Sequence, residues 1–239
     1  MSSKETKNSQ IQVISRAINI MRALGHSSSG LSLGQLAKRC ELPRSTVQRI
    51  ISSLMSEGMV THLGNNQGFT LGPEIQAFAA TSRIEFWRSY QPQLIQLANE
   101  TGETVDLAVL QGDMMLFVDQ IPGRHRLRAM SEPGTRFSAL VSANGKACLS
   151  LLSDDQLKQD YDLNIGQLQE IQKVRKTGLA WDINSHTPGI SAVGAAFEGP
   201  DGQIYAVSIP VPSQRFEKIK DQIAQQLLQC IHSYKKNEL

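Results

Sequence analysis

The sequence predicts an α+β protein with a small helical front domain, a linker helix and a larger mixed domain. The chain has 239 residues, more than the roughly 150 residues of a typical single domain. Apolar residues recur at helical spacing in the front part, two short β-compatible runs follow, and the remainder alternates between strand-like and helical segments. We expect the three parts to span residues 10–72, 73–90 and 91–239.

The composition narrows the class of protein. Hydrophobic residues make up 40% of the chain, which excludes a wholly disordered protein. No apolar run reaches the roughly 20 residues that span a bilayer, and residues 1–10 are polar, so we expect a cytoplasmic protein with no membrane contact. Three distant cysteines without a Cys-x-x-Cys pair, and five histidines without ligand spacing, predict no disulfide framework, no metal and no cofactor.

The basic charge is concentrated at the front of the chain. Residues 1–80 carry eight Lys and Arg against four Asp and Glu, whereas residues 81–239 carry sixteen against eighteen. A basic front part on a nearly neutral remainder suits binding to a polyanion. A surplus of four charges is equally compatible with an ordinary solvated surface.

Three short helices are predicted in the front domain. Apolar residues at helical spacing span positions 14–24 and end at a Gly- and Ser-rich segment. Ser32 and Gln35 form a capping box at the start of the second helix. Pro43 suits the first position of a third helix, which ends before Gly58. This order of helices, followed by a hairpin, is that of a winged helix-turn-helix, whose third helix enters the major groove.

The third predicted helix has a polar face with the chemistry of a DNA-reading surface. Arg pairs with guanine, Gln pairs with adenine, and Ser or Thr hydroxyls reach bases or phosphates. This face could also be a solvated helix surface, and arginines that contact only phosphates would give affinity without sequence choice. The predicted DNA contacts on this helix are Arg44, Ser45, Thr46, Gln48 and Arg49.

A hairpin is predicted from Met59–Leu63 and Gly68–Leu71, with a turn-rich loop between them. The loop residues Asn65, Asn66 and Gln67 are candidate DNA contacts of the wing. Turn chemistry alone also selects Asn and Gly at such positions, so this assignment has a structural alternative.

The pattern of the rear part predicts a mixed domain of strands and helices. The strand-like segments are Thr104–Leu110, Met114–Gln120, Arg126–Met130, Ile190–Phe197 and Ile204–Pro210. The helical segments are Asn144–Leu152, Gln167–Thr177 and Phe216–Tyr234.

The chain resembles the IclR family of bacterial transcription regulators from Val13 almost to its C-terminus. The resemblance rests on Leu31-Ser32-Leu33, on the run from Leu42 to Ile50, on Gly68 to Pro73, and in the rear part on Ser142 to Ala147, Gly178 to Ile190 and Ala206 to Ile209. Glu41 departs from the pattern, because the family usually has Gly at this turn. If the backbone there has a positive φ, Glu41 stores strain.

The resemblance implies a GAF/PAS-like effector domain with a small-molecule pocket. Matching positions give two polar candidates, Asp182 and Ser208, and candidate wall residues Ala143, Asn144, Ile190 and Ala192. Asp182 has an alternative role as a loop or capping carboxylate, and Ser208 one as a hydrogen-bonding residue within the sheet. Family positions occupied here by Asn184, Ser185, Ala192 and Pro210 differ from those of many relatives, which argues against a small carboxylate as the effector. The front third resembles the solvent-responsive efflux-pump repressors within the family, which implies an apolar or aromatic effector.

We therefore expect a sequence-specific transcriptional repressor that binds a palindromic operator as a homodimer or homotetramer and responds to a small-molecule effector. Two alternatives are an architectural DNA-binding oligomer without an effector and an enzyme acting in the rear pocket. The enzymatic alternative is disfavoured, because the Gly-x-Ser-x-Gly motif at residues 30–34 follows no strand and Ser32 is better explained as a helix cap.

Overall fold

The structure, a computed structural model, describes the backbone of residues 3–64, 68–81 and 85–237, with side chains described over 12–64, 68–79 and 89–233. The chain divides into two compact units, residues 1–85 and 86–239. Within the described residues, no helix combines the length and apolarity that a membrane crossing requires.

The front unit is a three-helix core followed by a two-stranded hairpin. Its elements are α1 (Ser3–Gly25), α2 (Leu33–Arg39), α3 (Arg44–Ser56), β1 (Val60–Leu63), β2 (Gly68–Leu71) and α4 (Glu74–Thr81). The three helices bury one apolar face each, and their fully buried side chains include Ile20, Leu24, Leu36, Val47 and Ile51. Fold and element types agree with the prediction of a winged helix-turn-helix.

Local chemistry fixes the start of α2 and the turn between α2 and α3. The predicted capping box is present: the Ser32 hydroxyl accepts a hydrogen bond from the Gln35 amide at 3.3 Å, and the Gln35 side chain accepts one from the Ser32 amide at 2.8 Å. Glu41 has φ = 53°, the left-handed region that costs a side-chain-bearing residue about 1 kcal/mol or more. Pro43 is the N-cap of α3 instead of its first helical residue, because its ψ of 138° is extended.

The hairpin is attached to the helices through Leu31. Leu31 and Phe69 exchange backbone hydrogen bonds of 2.9 and 2.8 Å, which adds a bridge beside β2. A Cβ at Gly68 would lie 2.5 Å from the Leu31 carbonyl group, so a larger residue does not fit there. Residues 65–67, which include the predicted wing contacts Asn65, Asn66 and Gln67, lie outside the described residues.

The rear unit contains a six-stranded antiparallel sheet. Its elements are α5 (Glu85–Thr101), β3 (Val105–Gln111), β4 (Met114–Ile121), β5 (Arg136–Ser138), α6 (Ala143–Leu149), α7 (Asp154–Asp160), α8 (Ile165–Thr177), β6 (Ala180–Ile183), β7 (Ile190–Glu198), β8 (Ile204–Pro212) and α9 (Ser213–Asn237). The strand order is β5-β4-β3-β8-β7-β6. The predicted linker helix, residues 73–90, corresponds to α4 and the start of α5, and residues 82–84 between them are not described.

Side-chain alternation along the strands gives the sheet two different faces. On β3, Val105, Leu107 and Val109 pack in a core with α5 and α9. The intervening Asp106 and Ala108 face the opposite side, where α6 and α8 contribute to the packing. Helix α6 approaches the sheet closely at Gly194, where a Cβ would lie 2.9 Å from the Ala143 carbonyl atoms.

Three parts of the rear prediction were wrong. Residues Arg126–Met130 form a loop instead of a strand, and the strand that pairs with β4 on the side away from β3 is β5, only three residues long. Strands β5 and β6 were not predicted as elements. These elements are short, so their periodicity is weak, and β6 is held by its pairing with β7.

Candidate functional site

The polar face of α3 lies on the surface of the front unit. Arg44, Ser45, Gln48 and Arg49 are exposed, and Thr46 is half-buried. The opposite face of the helix is held in the core by its buried apolar residues Val47, Ile50 and Ile51. The packing therefore presents the predicted polar residues to solvent.

Two arginines carry the positive charge of this face. Among the described residues, the guanidinium groups of Arg44 and Arg49 make no ion pair or hydrogen bond, and α3 contains no acidic residue. Pro43 supplies no side-chain cap to the first turn of α3. Free backbone N–H groups and cationic side chains at the start of a helix suit phosphate binding.

Two further basic residues lie on α2. Lys38 and Arg39 are exposed in its last turn, and in helix-turn-helix proteins the helix before the recognition helix crosses the DNA backbone. They are candidate phosphate contacts that were not among the DNA contacts predicted from the sequence. Their adjacent positive charges, just before the turn, were the available signal.

All six residues predicted for the effector pocket line one cavity of about 210 Å³ in the rear unit. They are Ala143, Asn144, Asp182, Ile190, Ala192 and Ser208. The cavity lies between the sheet and the start of α6, and Phe117 and Phe137 add aromatic surface to its lining. This volume of about 210 Å³ is below the roughly 300–1,000 Å³ of pockets for drug-sized ligands, so it suits only a small organic molecule.

Asp182 both stabilises a turn and lines the cavity. Its Oδ1 atom accepts hydrogen bonds from the backbone amides of Ser185 at 3.0 Å and His186 at 3.2 Å, and from the Ser185 hydroxyl. Its Oδ2 atom accepts none from the described residues. The capping role considered from the sequence is therefore present, and one carboxylate oxygen is left for another donor.

Asn144 has an unsatisfied donor in the same cavity lining. The residue is 4% exposed, and its Nδ2 atom has no hydrogen-bond partner among the described residues. A buried donor without a partner costs about 1–3 kcal/mol. Such a cost is offset when a bound molecule supplies an acceptor.

Asp106 also lines the cavity, although it was not among the residues predicted from the sequence. It is 1% exposed, and it accepts hydrogen bonds from Gln120 Nε2 at 2.8 Å and Ser131 Oγ at 3.0 Å. Burial raises the pKa of the Asp106 carboxyl to about 7, against the opposing effect of these two hydrogen bonds. A carboxyl group inside an otherwise apolar strand was the signal that could have identified it.

Two acidic side chains and one histidine are the ionisable groups of the cavity lining. Asp106, Asp182 and His186 are its ionisable groups, and no Lys or Arg is among the lining residues. Lys146 on α6 is buried nearby in the chain, but its ammonium group is engaged by Glu170 at 2.7 Å and by the Trp181 carbonyl. Among the described residues, no cluster of three or more His, Cys, Asp or Glu side chains could hold a metal ion.

A winged helix-turn-helix unit joined to a domain with an internal cavity defines the class of DNA-binding transcriptional regulators with a separate rear domain. Two family models match the chain: "IclR helix-turn-helix domain" over residues 13–64 and "Bacterial transcriptional regulator IclR C-terminal" over residues 78–234. The chain belongs to the IclR family of transcriptional regulators, which confirms the predicted family.

Similar proteins cover nearly the whole chain. The HTH-type transcriptional regulator Rv1719 of Mycobacterium tuberculosis is 37% identical, with 94% of this chain and 92% of that protein covered. The HTH-type transcriptional regulator TtgV of Pseudomonas putida is 36% identical, with 92% and 88% covered. An IclR transcriptional regulator from Alicyclobacillus acidocaldarius shares the fold, with a TM-score of 0.74, 19% identity and coverage of 93% and 95%. Because the family and these relatives are transcriptional regulators, the chain is assigned as a regulator and not as an enzyme.

Proposed function

We propose that this chain is a repressor that binds a specific operator through α3 and releases it when a small molecule occupies the rear cavity. The observation that carries the DNA-binding part is the exposed face of α3, on which Arg44 and Arg49 have no partner among the described residues. An unpaired guanidinium group on a groove-sized helix is available for a guanine edge or a phosphate.

The residues of this face have different roles in the proposal. Arg44, at the start of α3, and Gln48, one turn later, contact base edges, because both side chains can form two hydrogen bonds to one base. Ser45, Thr46 and Arg49 contact phosphates or adjacent bases and fix the orientation of the helix. The wing residues Asn65, Asn66 and Gln67 contact the flanking DNA.

The mixture of apolar and polar residues in the cavity lining supports the effector part of the proposal. Ala143, Ile190 and Ala192 supply apolar walls, and Asn144, Asp182 and Ser208 supply polar groups that orient a ligand. The partnerless Nδ2 atom of Asn144 favours a site completed by a ligand acceptor. This observation supports a sensor over an architectural protein, whose rear unit would need no such cavity.

Oligomerisation follows from the size of the reading surface. One recognition helix contacts only a few base pairs, whereas two helices about one DNA turn apart read a palindrome with much greater selectivity. We therefore propose a homodimer, or a homotetramer made of two such dimers, acting on chromosomal DNA in the cytoplasm. A bound oligomer represses by occupying the DNA, which requires no contact with another protein.

The effector acts through its different affinities for the DNA-binding and non-binding states. Coupling energies between sites are typically about 1–3 kcal/mol, which is about a 5- to 150-fold change in operator affinity. An effector with equal affinity for both states would not change operator binding at all.

The test is Arg44→Ala, measured by fluorescence anisotropy on DNA that the wild-type protein selects from a random pool. We expect the affinity for the selected sequence to fall by about tenfold or more, with unchanged thermal stability. Arg126→Ala is the matched control, because Arg126 is an exposed arginine of the rear unit outside the proposed interface. Unchanged operator affinity for Arg44→Ala would reject this surface as the DNA interface.

A further inference from the structure

The strongest unexplained feature of the rear unit is the buried Asp106 carboxyl. Its two oxygens each accept one hydrogen bond from an uncharged group, Gln120 on one side and Ser131 on the other. Each oxygen retains capacity for a further donor. Asp106 therefore brings an acceptor into the cavity, and none of the described cationic side chains forms an ion pair with it.

Among the described residues, no other ionisable group of the cavity forms an ion pair with Asp106. Asp182 on β6 lies three strand positions from β3 and is a second acid. The His186 ring lies against Phe137, with ring centroids 4.3 Å apart, and its Nδ1 atom is 2.8 Å from the Thr187 hydroxyl. The remaining groups beside Asp106 on β4, β8 and the following loop are the uncharged Gln120, Ser208 and Ser131.

This charge distribution discriminates between ligand head groups. A carboxylate ligand would meet two acids and no Lys or Arg in the lining, so repulsion and desolvation both oppose it. An ammonium group forms a charge-assisted hydrogen bond with a carboxylate, and it is also attracted to aromatic faces such as those of phenylalanine. Apolar wall residues suit the hydrocarbon part of the same molecule.

We propose that Asp106 determines the specificity of the cavity, which takes a small apolar molecule carrying a primary amine in preference to its alcohol and excludes its carboxylate. The amine donates to Asp106, and the hydrocarbon body lies against Phe117, Phe137 and the alanine walls. This inference rests on the proposed function only in placing the effector in this cavity.

The experiment compares four probes with the same phenyl body by titration calorimetry on the full chain without DNA. The probes are 2-phenylethylamine, 2-phenylethanol, ethylbenzene and phenylacetate. We expect the amine to bind about tenfold more tightly than the alcohol, and ethylbenzene and phenylacetate to bind more weakly than both. Tightest binding by phenylacetate, an alcohol affinity equal to that of the amine, or no amine binding at millimolar concentration would each overturn the proposal.

Asp106→Asn removes the charge with little change of shape. We expect it to lower amine affinity by about tenfold and alcohol affinity by less than about threefold, whereas Asp162→Asn, at an exposed position, changes neither. Retention of full amine affinity in a folded Asp106→Asn protein contradicts the proposal.

A measurement on the wild-type protein covers the case in which Asp106→Asn fails to fold. Between about pH 8.5 and about pH 5.5, protonation of Asp106 should lower amine affinity by about tenfold and leave alcohol affinity nearly unchanged. His186→Gln should keep this dependence, which separates the effect of Asp106 from that of the imidazole that also lines the cavity. An amine affinity independent of pH overturns the proposal.

Failure of this inference is distinguishable from failure of the proposed function. Operator binding is measured separately by anisotropy with the Arg44→Ala and Arg126→Ala proteins. A protein that binds its operator but prefers phenylacetate retains the regulatory assignment and loses only the amine assignment.

Discussion

Asp106 on β3 and Ser208 on β8 are directly paired across the sheet, and both side chains line the cavity. Directly opposite residues of antiparallel strands have their side chains on the same face. Asp106 is 1% exposed and Ser208 is 2% exposed. The carboxyl and the hydroxyl therefore share a site from which bulk water is largely excluded.

The burial of Asp106 makes the stability of the rear unit depend on pH. Its folded-state pKa is about 7, above the value of about 3.9 in an unfolded chain. Between these two pKa values the folded state holds a proton that the unfolded state has released. The stabilisation from this proton is therefore complete below about pH 4, and the free energy of unfolding decreases as the pH rises through about 7. We expect a loss of up to about 4 kcal/mol in the free energy of unfolding.

Urea unfolding at about pH 5 and about pH 8 measures this dependence. Asp106→Asn should make the protein less sensitive to pH and more stable than wild type at the higher value. Asp162→Asn, at an exposed aspartate, should keep the wild-type slope. An unchanged slope in Asp106→Asn would show that another group is responsible.

Glu41→Gly should stabilise the front unit. Glu41 has φ = 53°, where glycine lacks the steric penalty of a side chain. Relief of that strain exceeds the added entropy of the unfolded chain, so we expect a gain of up to about 1 kcal/mol in thermal unfolding experiments. Glu57→Gly is the control: its φ is −92°, and the same change should destabilise. A loss of stability at both positions argues against strain at Glu41.

Asn144→Leu should stabilise the ligand-free protein and abolish its response to an effector. The substitution removes a buried donor without a partner, which is worth about 1 kcal/mol or more. Asn164→Leu should do the opposite, because the Asn164 side chain accepts a hydrogen bond from the Gln167 amide at 2.9 Å as the N-cap of α8. Thermal unfolding and effector-dependent anisotropy test the pair, and a destabilised Asn144→Leu protein refutes the prediction.

Gly194→Ala should destabilise the rear unit by about 1–3 kcal/mol. The new methyl group would lie 2.9 Å from the backbone of Ala143 and force α6 away from the sheet. Gly34→Ala is the matched control, because no atom lies within 4 Å of its added Cβ and alanine favours a helix. A differential scanning calorimetry profile in which both variants unfold like wild type would contradict this account of α6 packing.

The exposed face of α3 and the rear cavity differ in how directly the sequence predicts them. The exposed face of α3 was predictable because Val47, Ile50 and Ile51 set the helix rotation by local spacing. The six predicted cavity residues came from family positions, whose meeting point depends on strands distant in the chain. Asp106 was missed because its burial depends on β8 and on Ser131, which contact it only after the sheet forms.

The wrong strand at Arg126–Met130 has a related cause. A short apolar or mixed run does not indicate whether a neighbouring strand is available to pair with it. In the fold, the loop continues past Ser131, whose hydroxyl donates a hydrogen bond to Asp106, and the edge of the sheet is completed by Arg136–Ser138. The departure at Glu41, in contrast, was expected to store strain at a positive φ, and its φ is positive.

The position of β3 between β4 and β8 has a consequence for synthesis on the ribosome. Contacts of the front unit are complete once its hairpin has left the exit tunnel. In contrast, β3 cannot pair with β8 until about one hundred further residues have been synthesised. Long-range strand pairing is slow to form, and domains generally fold in the order of translation. Nascent chains should therefore acquire the DNA-contacting fold before the cavity has a complete wall.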